Sequence, residues 1–360
     1  CDVPARRRFL QSTSCPFTIP SAANGTIPYP CLICEDFSQP SDSCSESLVL
    51  HCYDFYKEEP ACLDFLPYYL DGNCDYEAIS SDQEKALSDG VSLGRQGKGI
   101  IYVFASGNEF WQGEERSFQW QGQTRFAISV GAVGQDRLHT TYSTPGTSVF
   151  IAGPGGDSES LSNHITTSFG RQCLDATVGT SFACPVVSGV IALVLEVNPD
   201  LTWRDVQYVL AQTSQRVDDV EDTTAFQNAA GYWHSNWYGF GIVDAEAAVT
   251  AARNWENVGA EQTVLAKTGL LNEPIVDDES SILETSVIVE APANFVVESV
   301  ELQLNISSFS RGDLEITLTS PQGTKSVLHA GRRPENTQTE ASWRLLTVRH
   351  WGEDPNGVVK

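Results

Sequence analysis

A mixed α/β domain followed by an all-β module is the fold that this sequence predicts, and three observations predict it. Between about residues 86 and 257, short continuous apolar runs alternate with helical patterns, the signature of strands and helices packed in layers. Beyond about residue 258 the pattern changes to apolar residues at every second position, which reads as strands with one buried face. Before about residue 85 neither period holds, and cysteine, proline, serine and aspartate dominate.

The elements follow in order. Short helical patches are expected near Ser47–Tyr56 and Asp82–Gly94. The run Gly99–Ala105 reads as a buried strand that feeds the loop Ser106-Gly107-Asn108. Phe126–Val133 and Ser148–Ala152 read as further strands, the second closed by Gly153-Pro154-Gly155-Gly156. Residues 181–196 are apolar nearly all round, which predicts a buried helix. Pro185 is tolerable there because it falls near the first turn. Thr202 with Asp205 three residues later resembles a capping box, and Val206, Val209 and Leu210 supply its apolar stripe. Ala245–Asn254 is a further helix. In the β module, Glu284–Glu290, Val297–Ile306, Asp313–Thr319 and Ser326–His329 read as strands. Val300, Leu302, Leu304 and Ile306 share one face, and Glu301, Gln303 and Asn305 the other.

Composition bounds the function. A chain of 360 residues suffices for two domains and at least one full core. No run approaches the roughly 18 consecutive apolar residues of a membrane span. The net charge of −25 makes nucleic acid an unsuitable partner, because phosphate contact needs clustered Lys and Arg. Eight of the ten cysteines (1, 15, 31, 34, 44, 52, 62, 74) fall in the first 74 residues. They are expected to form a disulfide framework made in an oxidising compartment. A zinc reading of Cys31 and Cys34 is weaker, because no second ligand pair follows at finger spacing. The sequons at Asn24 and Asn305 fit a secreted, glycosylated chain. The chain starts at Cys1 and contains no Met, so it is expected to be processed or a fragment.

Ser181 is the candidate nucleophile. It stands in Gly179-Thr180-Ser181-Phe182-Ala183-Cys184-Pro185, at the mouth of the apolar helix. Unpaired N–H groups and the positive end of the helix dipole lie where an oxyanion would form. A lone serine before an apolar run is ordinarily a helix cap, and only the whole string favours chemistry. That string, with Ser188-Gly189, resembles the active-site serine signature of subtilisin-like serine proteases. Ala105-Ser106-Gly107-Asn108 resembles the oxyanion loop of the same family. The segments Leu195–Gln207 and Tyr238–Ala245 resemble kexin and furin proprotein convertases. Arg311-Gly312-Asp313-Leu314, Thr319–Thr324 and Trp351–Pro355 resemble their P (Homo B) domain.

The resemblance implies a subtilisin-like parallel sheet with helices on both faces, then a jelly-roll P domain. It divides the chain into a Cys-rich insertion (1–85), the C-terminal part of a catalytic domain (86–257) and an incomplete P domain (258–360). It implies a serine endopeptidase acting on protein or peptide substrates in the secretory pathway or outside the cell, with any membrane anchor outside this chain. Ser181 would attack the scissile carbonyl. Asn108 would donate to the oxyanion, and Ala105, Ser106 and Gly107 would line the first specificity pocket. Gln121 stands where the family pattern suggests an Asp, which weakens a preference for basic residues. Thr144 stands where convertases carry a calcium-ligating Glu. Calcium is therefore expected with its ligands mostly outside this chain, and no metal ligand is assigned here. The family's Asp-Thr-Gly and His-Gly-Thr strings are missing, and His51 and Asp71 are read as loop residues. The base and acid are expected upstream of Cys1, which leaves this fragment inactive by itself. The alternative is an inactive protease-like protein that binds a partner through the β module.

Overall fold

The computed structural model describes residues 76–157, 165–169, 172–269, 271, 273–275, 282–310, 314–330 and 338–360. The clustered cysteines, Asn24, His51 and Asp71 lie outside these residues.

Helix α1 (Ser81–Gly97) opens on a reciprocal capping box: the Ser80 hydroxyl accepts from the Gln83 N–H, and the Gln83 side chain accepts from the Ser80 N–H. Its regular part ends at Leu93, since Gly94 leaves helical geometry (ψ 155°), one residue short of the end expected from sequence. Three parallel strands follow in spatial order: β1 (Tyr102–Ala105), β2 (Ala127–Val133) and β3 (Val149–Pro154). All seven residues of β2 are buried, as the near-continuous apolar runs require of a sheet covered on both faces. Side-chain alternation assigns the two coverings. Val103, Ile128 and Val130 pack against helix α2 (Thr180–Val197), while Phe104 and Ala127 pack against Leu87 and Val91 of α1. A hairpin, β4 (Ile165–Phe169) and β5 (Gln172–Thr177), precedes α2 and was not anticipated from sequence.

Helix α2 departs from the expectation of burial all round. Val187, Ile191 and Val194 are fully enclosed, but Pro185, Val186 and Gly189 are exposed and Leu193 is 45% exposed. Only the stripe facing the sheet and helix α4 (Ala245–Ala252) finds partners. Its mean hydropathy of 1.9 over 18 residues would suit a membrane span, yet half of it is buried in the protein. Helix α3 (Trp203–Thr213) carries the expected capping box, in which Asp205 Oδ2 accepts from the N–H and hydroxyl of Thr202. A short ribbon of β6 (Phe226–Gln227) and β7 (Trp233–His234) leads towards α4.

The β module contains the four strands anticipated: β8 (Val287–Val289), β9 (Val300–Ser310), β10 (Glu315–Thr319) and β11 (Lys325–Ala330). Two more appear, β12 (Gln338–Thr347) antiparallel to β9 and β13 (Gly357–Val359) antiparallel to β8. Leu302, Leu304 and Ile306 pack with Leu318, Leu328, Trp343 and Leu345, on the face that alternation assigned to them.

The segment after β12 joins the two modules. The Val348 N–H donates to Thr147 O and the Thr147 hydroxyl donates to Leu346 O. Asn228 Nδ2 holds the carbonyls of Arg349 and Trp351. Trp351 is 1% exposed within the main α/β core, with ring centroids 4.8 Å from Tyr208 and 5.5 Å from both Phe150 and Phe240. Beside it the Arg349 guanidinium donates to Thr224 O and Asn236 Oδ1, and burial pulls its pKa down to about 10.

Two outcomes follow. Trp351→Ala removes a fully buried indole and should cost about 3–5 kcal/mol, seen as an earlier urea midpoint when both modules are monitored. His234, buried at β7 with Nε2 against Val149 O, is held neutral first by desolvation and then by Arg349. Its pKa is lowered far below 6.5, so the unfolded chain takes up the proton first as pH falls. The stabilising contribution is complete above pH about 6.5 and declines below it by up to about 1.4 kcal/mol per unit. Thermal unfolding between neutral and mildly acid pH should therefore show a shallower decline in His234→Phe.

Candidate active site

Parallel strands leave their C-terminal ends facing a crevice bounded by the loops that follow them, and the candidate residues collect there. Strand β1 ends at Ala105, and the ladder continues one step as the Ser106 N–H donates to Val130 O. The chain then turns through Gly107 at φ +112°. A Cβ there would stand 2.8 Å from Thr144 Oγ1, so both the backbone angle and the space demand glycine. On the far side of the crevice Gly179, at φ +154°, precedes α2. The first turn of the helix then holds Thr180, fully buried, and Ser181, half-buried at the rim.

One side chain ties the two loops. Asn108 Oδ1 accepts from the Thr180 N–H at 2.8 Å and from the Thr180 hydroxyl at 2.9 Å. The same hydroxyl oxygen accepts from the Gly107 N–H at 3.3 Å. With the oxygen of its amide committed to Thr180, Asn108 presents its NH2 group on the opposite side of the amide. The Ser181 backbone N–H is an orphan donor of the first helical turn. The structure thus brings together Ala105, Ser106, Gly107, Asn108 and Ser181.

The loop is further braced from below. The Asn108 N–H donates to Glu109 Oε2 at 2.6 Å and the Glu109 N–H to Thr144 Oγ1 at 3.2 Å. The Thr144 N–H returns a bond to Gly107 O at 3.0 Å. Tyr142 donates its hydroxyl to the carbonyls of Gly155 and Gly156 at the end of β3, and burial pushes its pKa upward. The side-chain amide that meets Gly107 is that of Gln119, 3.0 Å from where a Cβ would stand. Gln121 sits half-buried on the next 3-10 turn. The four histidines among the described residues are engaged elsewhere: His139 stacks on Trp237, His234 meets Val149 O, His329 pairs with Glu115 and His350 lies near Glu353.

Sequence reasoning singled out Ser181 and Asn108 as candidates, and did not reach Glu109, Arg116 or the bond from Thr180 to Asn108. The Arg116 guanidinium is 1% exposed beneath this loop and donates to Ser106 O and Ser129 Oγ. Subtilisin-like proteases generally bind calcium, so the donor set beside Thr144 can be tested for it. Calcium takes six to eight oxygen ligands, usually with several carboxylates. Thr144 offers a hydroxyl already used by the Glu109 N–H, Glu109 is used by Asn108, and a cationic guanidinium lies one turn away. Among the described residues no cluster of three or more His, Cys, Asp or Glu is placed to hold a metal. The residues at this position do not fit calcium.

Comparison with known proteins agrees with the geometry. Residues 72–241 match the Subtilase family, and residues 297–360 match the proprotein convertase P-domain. A PC3-like endoprotease (variant B) of Hydra vulgaris is 33% identical over 281 residues, 76% of this chain and 39% of the Hydra protein. Kexin of Saccharomyces cerevisiae is 34% identical over 282 residues, 76% of this chain and 34% of kexin. The chain therefore spans little more than a third of these relatives. The serine protease of Aeromonas sobria has the same fold, with a TM-score of 0.69 at 22% identity over 81% of this chain and 62% of that one.

Thr180→Val keeps the volume but removes the hydroxyl that bridges Asn108 and Gly107. The expected loss is about 1–2 kcal/mol, with faster amide exchange at Gly107. Unchanged exchange there would show that the bridge contributes nothing.

Proposed function

Because this chain belongs to the subtilases that carry a proprotein convertase P-domain, the kexin-like serine proteases, we propose that it forms the serine-bearing part of an endopeptidase. In this reading the enzyme hydrolyses peptide bonds through an acyl-enzyme. The observation that carries it is the double hydrogen bond from Thr180 to Asn108 Oδ1. It holds the Asn108 side chain against the first turn of the helix that carries Ser181, which supports a shared oxyanion site for the Asn108 NH2 group and the Ser181 N–H.

Ser181 Oγ attacks the scissile carbonyl, and its proton passes to a histidine base supplied from outside the described residues. As the carbonyl oxygen becomes an oxyanion, Asn108 Nδ2 and the Ser181 N–H receive it. Both donors are fixed beforehand, so little reorganisation opposes the developing charge. Ala105, Ser106 and Gly107 form the wall along which the residue preceding the scissile bond lies. The carboxylate beside that wall is Glu109 rather than one at position 121. Substrates are proteins or peptides met in the secretory pathway or outside the cell. Asn305 is exposed on β9, opposite the packed face, and is available to carry a glycan.

The test uses the full-length protein. Ser181→Ala should abolish hydrolysis and labelling by a fluorophosphonate. Asn108→Ala should lower kcat roughly 100- to 1000-fold with KM little changed, the size known for the oxyanion asparagine of subtilisin, itself a subtilase. The 360-residue chain alone should not be labelled. Hydrolysis that survives Ser181→Ala unchanged would overturn the reading.

A further inference from the structure

Arg116 starts a 3-10 turn and its backbone N–H donates to Pro145 O, next to Thr144. Its side chain runs inward and is 1% exposed. Nε donates to Ser129 Oγ on β2 at 2.6 Å. Nη1 donates to Ser106 O at 3.4 Å and to Gln119 Oε1. Gln119 in turn reaches Glu114 Oε1 at 3.5 Å and lies against Gly107. A guanidinium stays charged at any ordinary pH. Burying it is costly unless acceptors surround it. The acceptors here belong to β2, to the turn itself and to the loop that carries Asn108.

The Ser106 carbonyl belongs to the same peptide plane as the Gly107 N–H, which donates to Thr180. Fixing that carbonyl therefore fixes the peptide plane that enters Gly107, one unit before Asn108. Thr144, where the resemblance expects a calcium-binding carboxylate, contacts the same loop through Gly107 O and the Glu109 N–H. A calcium ion at that position and the Arg116 guanidinium would put positive charge under one and the same loop. This chain supplies the guanidinium and a neutral hydroxyl.

We propose that Arg116 is the positioning residue of the Ser106–Asn108 loop, a built-in cation that orders this loop without calcium. Its consequence for catalysis rests on the reading of Asn108 as an oxyanion donor; the order of the loop does not. A planar fork bonded to a carbonyl, a hydroxyl and an amide gives direction as well as charge. It also cannot dissociate, so the loop's geometry is independent of the calcium concentration around it.

The test is amide hydrogen exchange followed by mass spectrometry on the full chain, in chelator and in millimolar calcium. In the unsubstituted chain, peptides spanning residues 104–110 should be equally protected in both conditions. Arg116→Met should speed their exchange at least roughly tenfold, the loss of one charge-assisted hydrogen bond or more. Calcium should not restore it, and peptides within α2 should keep their protection. A calcium site elsewhere in the chain leaves the 104–110 readout unmoved. Protection of 104–110 that collapses in chelator overturns the proposal, as does Arg116→Met exchanging there like the unsubstituted chain. Should Arg116→Met lose protection throughout, Arg116→Lys takes its place, since it keeps the charge but not the fork. Lysine should give local opening of 104–110 that calcium does not reverse, and unchanged exchange there overturns the proposal. Neither readout involves peptide hydrolysis, so its failure is separable from that of the Ser181 assay.

Discussion

The bond pair from Thr180 to Asn108 Oδ1 is the constraint on which the rest of the site depends. It spans two loops that are 72 residues apart in the chain. One follows a strand in the middle of the α/β region and the other opens its central helix. Each end is anchored by something less negotiable than itself. Strand β1 is locked in a parallel ladder with a fully buried β2. Helix α2 is pinned by Val187, Ile191 and Val194, each contributing about 1.5–3 kcal/mol by leaving water. A hydrogen bond between neutral groups is worth only about 1 kcal/mol net. It fixes a geometry here because the packed elements have already brought its partners to within reach.

The same logic explains why the two modules do not behave as beads on a string. The segment Thr347–Glu353 leaves the β module and places Trp351 among Phe150, Tyr208 and Phe240 of the main core. Buried polar groups then have to be satisfied across the seam. Asn228, Asn236 and Thr224 of the α/β side take up the carbonyls and guanidinium of Arg349 and its neighbours. His329 of β11 meets Glu115, one residue before Arg116, at 2.8 Å. The β module thus reaches, through Glu115, the turn that carries the cation under the Ser106–Asn108 loop. Docking of the module and order of that loop share a physical connection.

Much of this architecture was legible in the sequence because it rests on local chemistry. The capping box of Thr202 and Asp205 is a three-residue pattern and appears as written. Alternation in Val300–Ile306 assigns the buried face of β9 correctly. Strand β12 was not legible. Its outer part, Gln338–Ala341, shows no clean alternation, and its place is set by a partner some forty residues away in β9. Exposure of Val186 and Leu193 was also hidden, since an apolar composition says which residues can be buried and not whether a partner is present. Ser181 and Asn108 are candidates through their strings, whereas Thr180 in the same string carries no signal of its own. Its role depends on Asn108 approaching through the fold.

Arg116 is the sharpest case of information that no string carries. In the sequence it is one charge in Glu114-Glu115-Arg116, a string that carries no mark of burial. In the structure all three are buried, and each has a different address: Glu114 towards Gln119, Glu115 towards His329, Arg116 towards Ser106. Burying three adjacent charges is tolerable only because each meets hydrogen-bonding groups already fixed by strands on either side. A mobile ion would adapt to those groups from solution and leave when its concentration fell. A guanidinium must have them pre-arranged, and it repays that demand by never leaving. The loop that presents Asn108 is therefore supported by a covalently connected cation, beside Thr144, the position where convertases carry a calcium-ligating Glu.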